Sequence, residues 1–348
     1  MTLATTYAAA LLITIFSMIC WGSWANSLKL TGNWRFELFY FDYSIGVLVA
    51  AGVIALTFGT LGSDGFVLLD DLMRAGKRQI AYAFAAGMVF NLGNILLVAA
   101  IALAGLSVAF PIGIGLALVI GAVWNYIINP QGNPALIFTG VAVIVLAIVV
   151  DAFAYRSLGL LKELQKMKAG EHRTLRPSVS WKGIVISLAS GVLIGIFYPL
   201  VEMAKAGDIG LGPYAVGLVF CLGLFCSTFV YNLYFMNLPV QGPPLEVMDY
   251  FRGLPKHHLL GVLGGMVWCA GTMTNFVAAS TPPEVQVGPA ITYAMGQGAT
   301  MVSALWGILV WKEFAGADAK VKALLVLMFF LFLSGLALLS MAPLYVTK

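Results

Sequence analysis

The run GMVFNLGN at positions 87–94 lies inside an interval, 79–150, that contains no Asp, Glu, Lys or Arg. At about 20 residues for each crossing of a hydrocarbon core about 30 Å thick, such an interval predicts three membrane-spanning helices. A transmembrane barrel is excluded, because barrel strands alternate polar and apolar residues and this interval does not. The rest of the chain agrees. Its 348 residues are 61% hydrophobic and only 10% charged, against about 25% charged in an ordinary soluble domain. The chain therefore reads as an all-α, multi-pass integral membrane protein whose solvent is the lipid bilayer.

The same run has a second copy. GMVWCAGT at 265–272 lies 178 positions later, and that offset also carries Pro111 in AFPIG onto Pro289 in VGPAI. Apolar runs and their breaks predict ten spans, at 7–28, 38–61, 80–102, 106–128, 134–155, 181–204, 213–236, 258–279, 287–311 and 321–345. A repeat of five helices re-enters the membrane from the opposite side, so the expected architecture is two inverted five-helix repeats, as in secondary transporters. The expected division is a first repeat at 1–156, a basic linker at 157–180 and a second repeat at 181–348.

Charge orients the spans. Fourteen of the 19 Lys and Arg residues fall on the loops joining spans 1–2, 3–4, 5–6, 7–8 and 9–10. Basic loops stay cytoplasmic, so both termini are expected outside the cell (inner) membrane. The net charge of +4 then belongs to loops near anionic lipid, with no nucleic-acid partner implied. The first apolar stretch has no basic residues before it and reads as a retained helix, not a removed signal. Four cysteines in apolar runs suggest neither a disulfide framework nor zinc spacing. No metal or cofactor is expected.

Polar and aromatic residues at membrane depth either pack helices together or line a cavity. In CWGSWAN at 20–26, Trp21 and Trp24 share a face. They read as a stacking wall for a sugar ring or planar solute, or as interfacial belt residues. Gly22 between them admits a close backbone. In the third span Gly87, Asn91 and Asn94 form one stripe, and an amide offers both donors and acceptors to a neutral polar ligand. The alternative is an interhelical hydrogen bond. Trp268, Thr272 and Asn275 repeat the pattern in the eighth span. Tyr293 and Gln297 share a face with Pro289 in the ninth, and Tyr198 in the sixth roughly mirrors Trp21.

Pro111 and Pro289 are candidate helix breaks, or ordinary helix-start prolines. Asp42 and Glu202 are candidate proton carriers, since ionisable groups inside a membrane mark ion pathways. Their alternatives are a helix N-terminal charge and an interfacial pair with Lys205. Asp151 reads as a plain helix-end residue, and His257 and His258 as boundary residues without a role.

FYFDYSIGVL at 39–48, LTFGTLG at 56–62, NLGN at 91–94 and GLSVAFPI at 105–112 resemble the ureide permeases. WGSW at 21–24 resembles the first helix of that family and of the related bacterial glucose and rhamnose transporters. All are members of the drug/metabolite transporter superfamily. The chain departs from plant members in having no G-x-x-x-x-G-K-[ST] run in its central loop. The resemblance implies proton symport, with import of a small neutral polar solute: a sugar, a ureide or a nucleobase. The alternative is a metabolite or drug exporter or exchanger of the same superfamily. Anionic substrates would require basic residues inside the spans, which are essentially missing. An intramembrane enzyme is not expected, because the three histidines lie in or beside loops and no H-E-x-x-H or G-x-S-x-G occurs.

Overall fold

With no water in the hydrocarbon region, every backbone N–H and C=O must be bonded within its own segment, and the chain meets this demand with helices. The computed structural model describes residues 1–62, 64–168, 181–240, 242–285 and 287–345. In chain order the helices are α1 (Tyr7–Ser23), α2 (Ala25–Leu30), α3 (Phe36–Thr57), α4 (Leu68–Arg74), α5 (Lys77–Ala104), α6 (Leu106–Ile128) and α7 (Pro134–Lys168). They continue as α8 (Trp181–Lys205), α9 (Pro213–Asn237), α10 (Val247–Phe251), α11 (Pro255–Ala278), α12 (Pro289–Gly296), α13 (Ala299–Leu309) and α14 (Ala319–Met341). Among the described residues nine helices are long and apolar enough to cross a membrane, α1 and α2 counting together as one. The protein is a multi-pass, all-helical membrane protein.

Two sequence expectations are corrected here. The span expected at 287–311 is two short helices, α12 and α13, separated at Gln297 and Gly298. Across this joint the amides of Gln297, Gly298, Thr300 and Met301 bond carbonyls three residues back, the tighter 3₁₀ pattern that marks local rewinding. Pro289 opens α12 at its first turn, a position where its missing N–H costs nothing, and Pro111 sits inside an unbroken α6. The break is therefore at the glycine-flanked Gln297. The second correction concerns α7, which runs past Tyr155 to Lys168 and places Asp151 in the body of a 35-residue helix, not at its end. The remainder of the basic linker, 169–180 with His172, lies outside the described residues.

Helix α5 packs on α8 and α9, while α11 packs on α1 and α3; α6 packs on α8, and α1 on α12 and α13. Helices α7 and α14 pair with each other. The two tightest crossings bring backbone against backbone. A Cβ added at Gly87 of α5 would meet the Phe220 carbonyl and the Leu224 amide of α9. One at Gly265 of α11 would meet the Tyr43 carbonyl and the Val47 amide of α3. The facing helices reciprocate, Gly223 closing on the Phe84 carbonyl and Gly46 on that of Val262. Without a hydrophobic force between helices in lipid, small residues that admit close van der Waals contact supply the association.

Gly87→Val and Gly265→Val should each destabilise the detergent-solubilised protein by about 1–3 kcal/mol, the usual cost of overpacking. A melting curve on each variant checks this. Gly52→Val, where nothing lies within 4 Å of the added Cβ, should melt with the wild type.

Candidate functional site

One turn beyond each crossing, α5 and α11 turn their larger side chains toward a common space. Phe90 of α5 stacks on Trp268 of α11, ring centroids 4.9 Å apart and planes 28° from parallel. They form one wall of a cavity of ≈ 410 Å³, within the range of small-ligand sites. The opposite walls bring Trp21 and Trp24 from the first span, Phe110 from α6, Phe197 from α8, and Gln297, Thr300 and Ser303 from the joint and start of α13. Among the described residues, no Asp, Glu, Lys, Arg or His lines it.

Trp21 is held by a polar tether. The Trp21 indole N–H donates to Thr272 Oγ1 at 3.1 Å, and the Thr272 hydroxyl donates to the Trp268 carbonyl. Gly296 lies against the Trp21 ring, where a Cβ would collide with it. Trp24 leans on Tyr43, with centroids 5.0 Å apart. The Asn94 amide donates to the Tyr40 hydroxyl at 3.0 Å, and its carbonyl oxygen has no hydrogen-bond partner among the described residues. Gln297 faces the cavity from the break in its helix.

The stripe that begins at Gly87 divides. Asn94 lines the cavity, whereas Asn91 is fully buried outside it. Asn91 Oδ1 accepts from the Tyr40 hydroxyl at 2.9 Å, and its Nδ2 lies 2.8 Å from Ser227 Oγ and 3.1 Å from both the Leu224 carbonyl and Thr228 Oγ1. That amide is spent on joining α3, α5 and α9. Asn275 is likewise buried, accepting from Tyr198 at 2.7 Å and donating to Ser17 Oγ and the Thr292 carbonyl. Tyr293 donates to the carbonyls of Ala117 and Ile194. Tyr198, Asn275 and Tyr293 thus form a packed polar plug across α1, α8, α11 and α12, with no open face. Gly22 lines the cavity, and its missing Cβ admits Ala299 and Val302 of α13.

The two carboxylates singled out from the sequence both have partners. Asp42 accepts from the Tyr250 hydroxyl at 2.6 Å and lies 2.8 Å from His258 Nδ1. The sequence reading gave His258 no role. Its partner lies 216 positions away, and only the packing of α11 on α3 brings them together. Burial, and then the hydrogen bond to Asp42, push the Tyr250 hydroxyl above the ordinary tyrosine range, so it remains a donor. Glu202 is ion-paired with Lys205 at 2.7 Å, and Lys205 also donates to the Ala279 carbonyl.

The cavity has contributors the sequence did not mark. Phe36, Phe90, Phe110 and Phe197 are aromatic residues among 22 phenylalanines, and composition cannot separate cavity rings from lipid-facing ones. Thr300 and Ser303 had a signal available, the Gly-Gln-Gly run at 296–298 just before them.

The ureide permease family model matches residues 39–174. Ureide permease 2 of Arabidopsis thaliana is 25% identical over 95% of both chains. The probable ureide permease A3 of Vigna unguiculata is 30% identical over 90% of this chain and 96% of its own. A probable glucose uptake protein of Bacillus anthracis is 24% identical over 78% of this chain and 84% of its own. A solved crystal structure with 16% identity shares the fold at a TM-score of 0.60, covering 97% of this chain and 99% of that one. These relatives are named as permeases and uptake proteins, which are transporters and not enzymes. With a 30% identical ureide permease aligned along nearly its whole length, the chain belongs to the ureide permease family.

Proposed function

We propose that the protein is a secondary transporter that imports a small, neutral, planar polar solute of the ureide or nucleobase type across the cell membrane by alternating access, coupled to protons. The observation that carries this reading is the uncharged, aromatic-walled cavity with two amides on its surface. Flat rings stack on a planar solute, and the Asn94 and Gln297 amides match the alternating N–H and C=O groups along its edge. A cavity with no basic residue offers nothing to an anion. The full-length likeness to named ureide permeases supports the same choice. A sugar is the second reading, supported by the likeness to a named glucose uptake protein and by the affinity of tryptophan faces for sugar CH groups.

The architecture in this reading is ten spans in two inverted repeats, 1–156 and 181–348, joined by the basic linker, with α12 and α13 together forming the ninth span. Its support is internal. Gly87 and Gly265, Phe84 and Val262, and Gly46 and Gly223 make equivalent contacts and lie 177 or 178 positions apart. The cavity occupies the half of the bundle near residues 28, 36, 101 and 110. That half carries most of the basic loops, which supports reading this as the inward-facing state with both termini outside. The Tyr198–Asn275–Ser17 cluster is then the outer gate, and an outward-open state must part those bonds. Proton coupling requires a carboxyl that changes protonation during the cycle. Asp42 lies against His258 and Tyr250, and Glu202 is tied to Lys205, so both of these carboxyls already have partners in this state.

Thermal shift of the purified protein against allantoin, uracil and glucose tests the substrate class, since a ligand that binds only the folded state stabilises it. A shift with allantoin or uracil, lost in Asn94→Ala and Trp21→Ala, is the expected result. Asn91→Ala should instead lower the ligand-free melting point, by about 1–3 kcal/mol of stability for its stranded partners. Shifts only with hydrophobic cations would overturn the reading in favour of an exporter. Orientation has its own test. Ser303→Cys in a Cys226→Ser background should react with an impermeant maleimide in inside-out vesicles and be protected by the ligand. Labelling only in right-side-out vesicles would reverse the assignment.

A further inference from the structure

Asp151 is the carboxylate that the site described above does not use. It sits 17 positions into α7, about 25 Å along the helix axis, and is 7% exposed. Its Oδ1 is buried without a hydrogen-bond partner among the described residues, and no ion pair reaches it there. Asp42 and Glu202, by contrast, are each bonded to a basic side chain. An uncompensated buried charge is costly, and such groups inside a membrane mark ion or proton pathways.

The carboxylate faces a space. Asp151 lines a pocket of ≈ 70 Å³ between α6, α7 and α13, opposite Thr300 and Ser303. This is room for more than one water, whose share of the liquid is about 30 Å³. Phe110, Thr300 and Ser303 line both this pocket and the solute cavity, so one wall serves the two. The charged and titratable neighbours are few. Tyr155, one turn along α7, lines the pocket and donates to Glu313 Oε2 at 3.2 Å. Glu313 is itself paired with Lys29, and its backbone carbonyl accepts from Lys162. The α6 and α13 residues in the pocket carry no charge. On α14 the charged residues are Lys320 and Lys322 in the first turn, and on α12 the one titratable group is Tyr293, whose hydroxyl is bonded to carbonyls elsewhere.

We propose that Asp151 binds the coupling cation of the transport cycle, a proton or an alkali cation, in the pocket it shares with Thr300 and Ser303. The inference rests on the transporter reading for its role, though not for the existence of the site. A proton adds to a free carboxylate oxygen and leaves a neutral acid that can donate within the pocket. An alkali cation takes the carboxylate and the hydroxyl oxygens as ligands. Either removes the uncompensated charge. The shared wall lets occupancy of one space be felt in the other, because a shift of the α13 start moves Thr300 and Ser303 in both. Tyr155 and Glu313 lead from the pocket to the basic residues Lys29 and Lys162, a route for exchange with the loop side.

The test begins without any solute. Infrared difference spectra of the full-length protein in liposomes, taken against pH, should show the carbonyl stretch of a protonated carboxyl that disappears in Asp151→Asn and persists in Asp42→Asn. If the cation is sodium, the melting point should rise in sodium chloride relative to choline chloride in the wild type and not in Asp151→Asn. Where Asp151→Asn fails to fold, wild-type protein treated with dicyclohexylcarbodiimide, which attacks buried protonated carboxyls, should carry its adduct on Asp151 by peptide mass spectrometry. No Asp151-dependent band, sodium shift or adduct overturns the site.

Coupling is read separately, as the ratio of gradient-driven allantoin uptake to allantoin counterflow. Asp151→Asn should lower that ratio about tenfold, the size of an ordinary coupling between sites, and Asp151→Glu should restore much of it. An unchanged ratio overturns the coupling role. A wild type that binds the cation at Asp151 but moves neither allantoin nor glucose refutes the transporter reading and leaves the site standing.

Discussion

The close contact of backbone with backbone at Gly87 and Gly265 is the constraint on which the rest of the molecule depends. At these points α5 lies on α9, and α11 on α3, with no side chain between them. Helices held that closely fix the rotation of each about its own axis. One turn on from Gly87 come Phe90 and Asn91, and one turn on from Gly265 come Trp268 and Cys269. Their directions follow from the helix, so the stacked pair Phe90–Trp268 and the buried amide of Asn91 are set by the same two contacts. A cavity walled by rings in lipid needs such external fixing. Apolar residues gain little by facing each other instead of acyl chains, and only packing holds them around a space.

The second consequence concerns polar groups. The interior holds many buried hydrogen-bonding side chains, and most are mutually satisfied. Asn91, Asn275, Tyr198 and Tyr293 all end on named partners. A second set has bonding capacity directed at open space: Asn94, Gln297, Thr300 and Ser303 around the cavities, and the Asp151 carboxylate. Burying a polar group without a partner is costly. Other buried atoms without a partner among the described residues, such as both side-chain atoms of Asn125, the Tyr43 hydroxyl and the Trp34 indole nitrogen, lie away from these spaces. What sets Asn94, Gln297, Thr300, Ser303 and Asp151 apart is that they line two adjoining spaces where a ligand or ion can meet them.

The membrane class and most helix positions were legible in the sequence, because charge partitions steeply between lipid and water and its gaps mark the spans directly. What the residues of the site do was only half legible. Asn91 and Asn94 share a stripe and a side-chain type, and they differ only in what lies opposite, Ser227 and Thr228 for one and a space for the other. Sequence carries that information only through distant positions. Asp151 was misread for a local reason. The apolar run gives way to charge after Tyr155, which suggests a helix end, yet the helix continues through Lys168 on its own periodicity. The Asp42–His258 contact joins residues on two spans far apart in the chain, and neither neighbourhood hints at the other.

The places where corresponding positions differ carry the last step of the argument. In the proposed repeat, Trp21 corresponds to Tyr198, 177 positions on. The first faces the open cavity and the second closes the opposite side. Asn94 corresponds to Thr272, and each holds an aromatic side chain by one hydrogen bond, Asn94 the Tyr40 hydroxyl and Thr272 the Trp21 indole. Such a scaffold makes inward and outward states similar in packing, hence close in energy. A small differential interaction then suffices to move the balance. Asp151 has no counterpart, since Met328 and Phe329 occupy the positions 177 and 178 residues later. A charge built into one half alone stabilises one state and not its mirror, and neutralising it reverses the preference. In the proposed cycle near-symmetry makes the motion cheap, and a carboxylate in one half alone, with no basic partner among the described residues, gives it a direction.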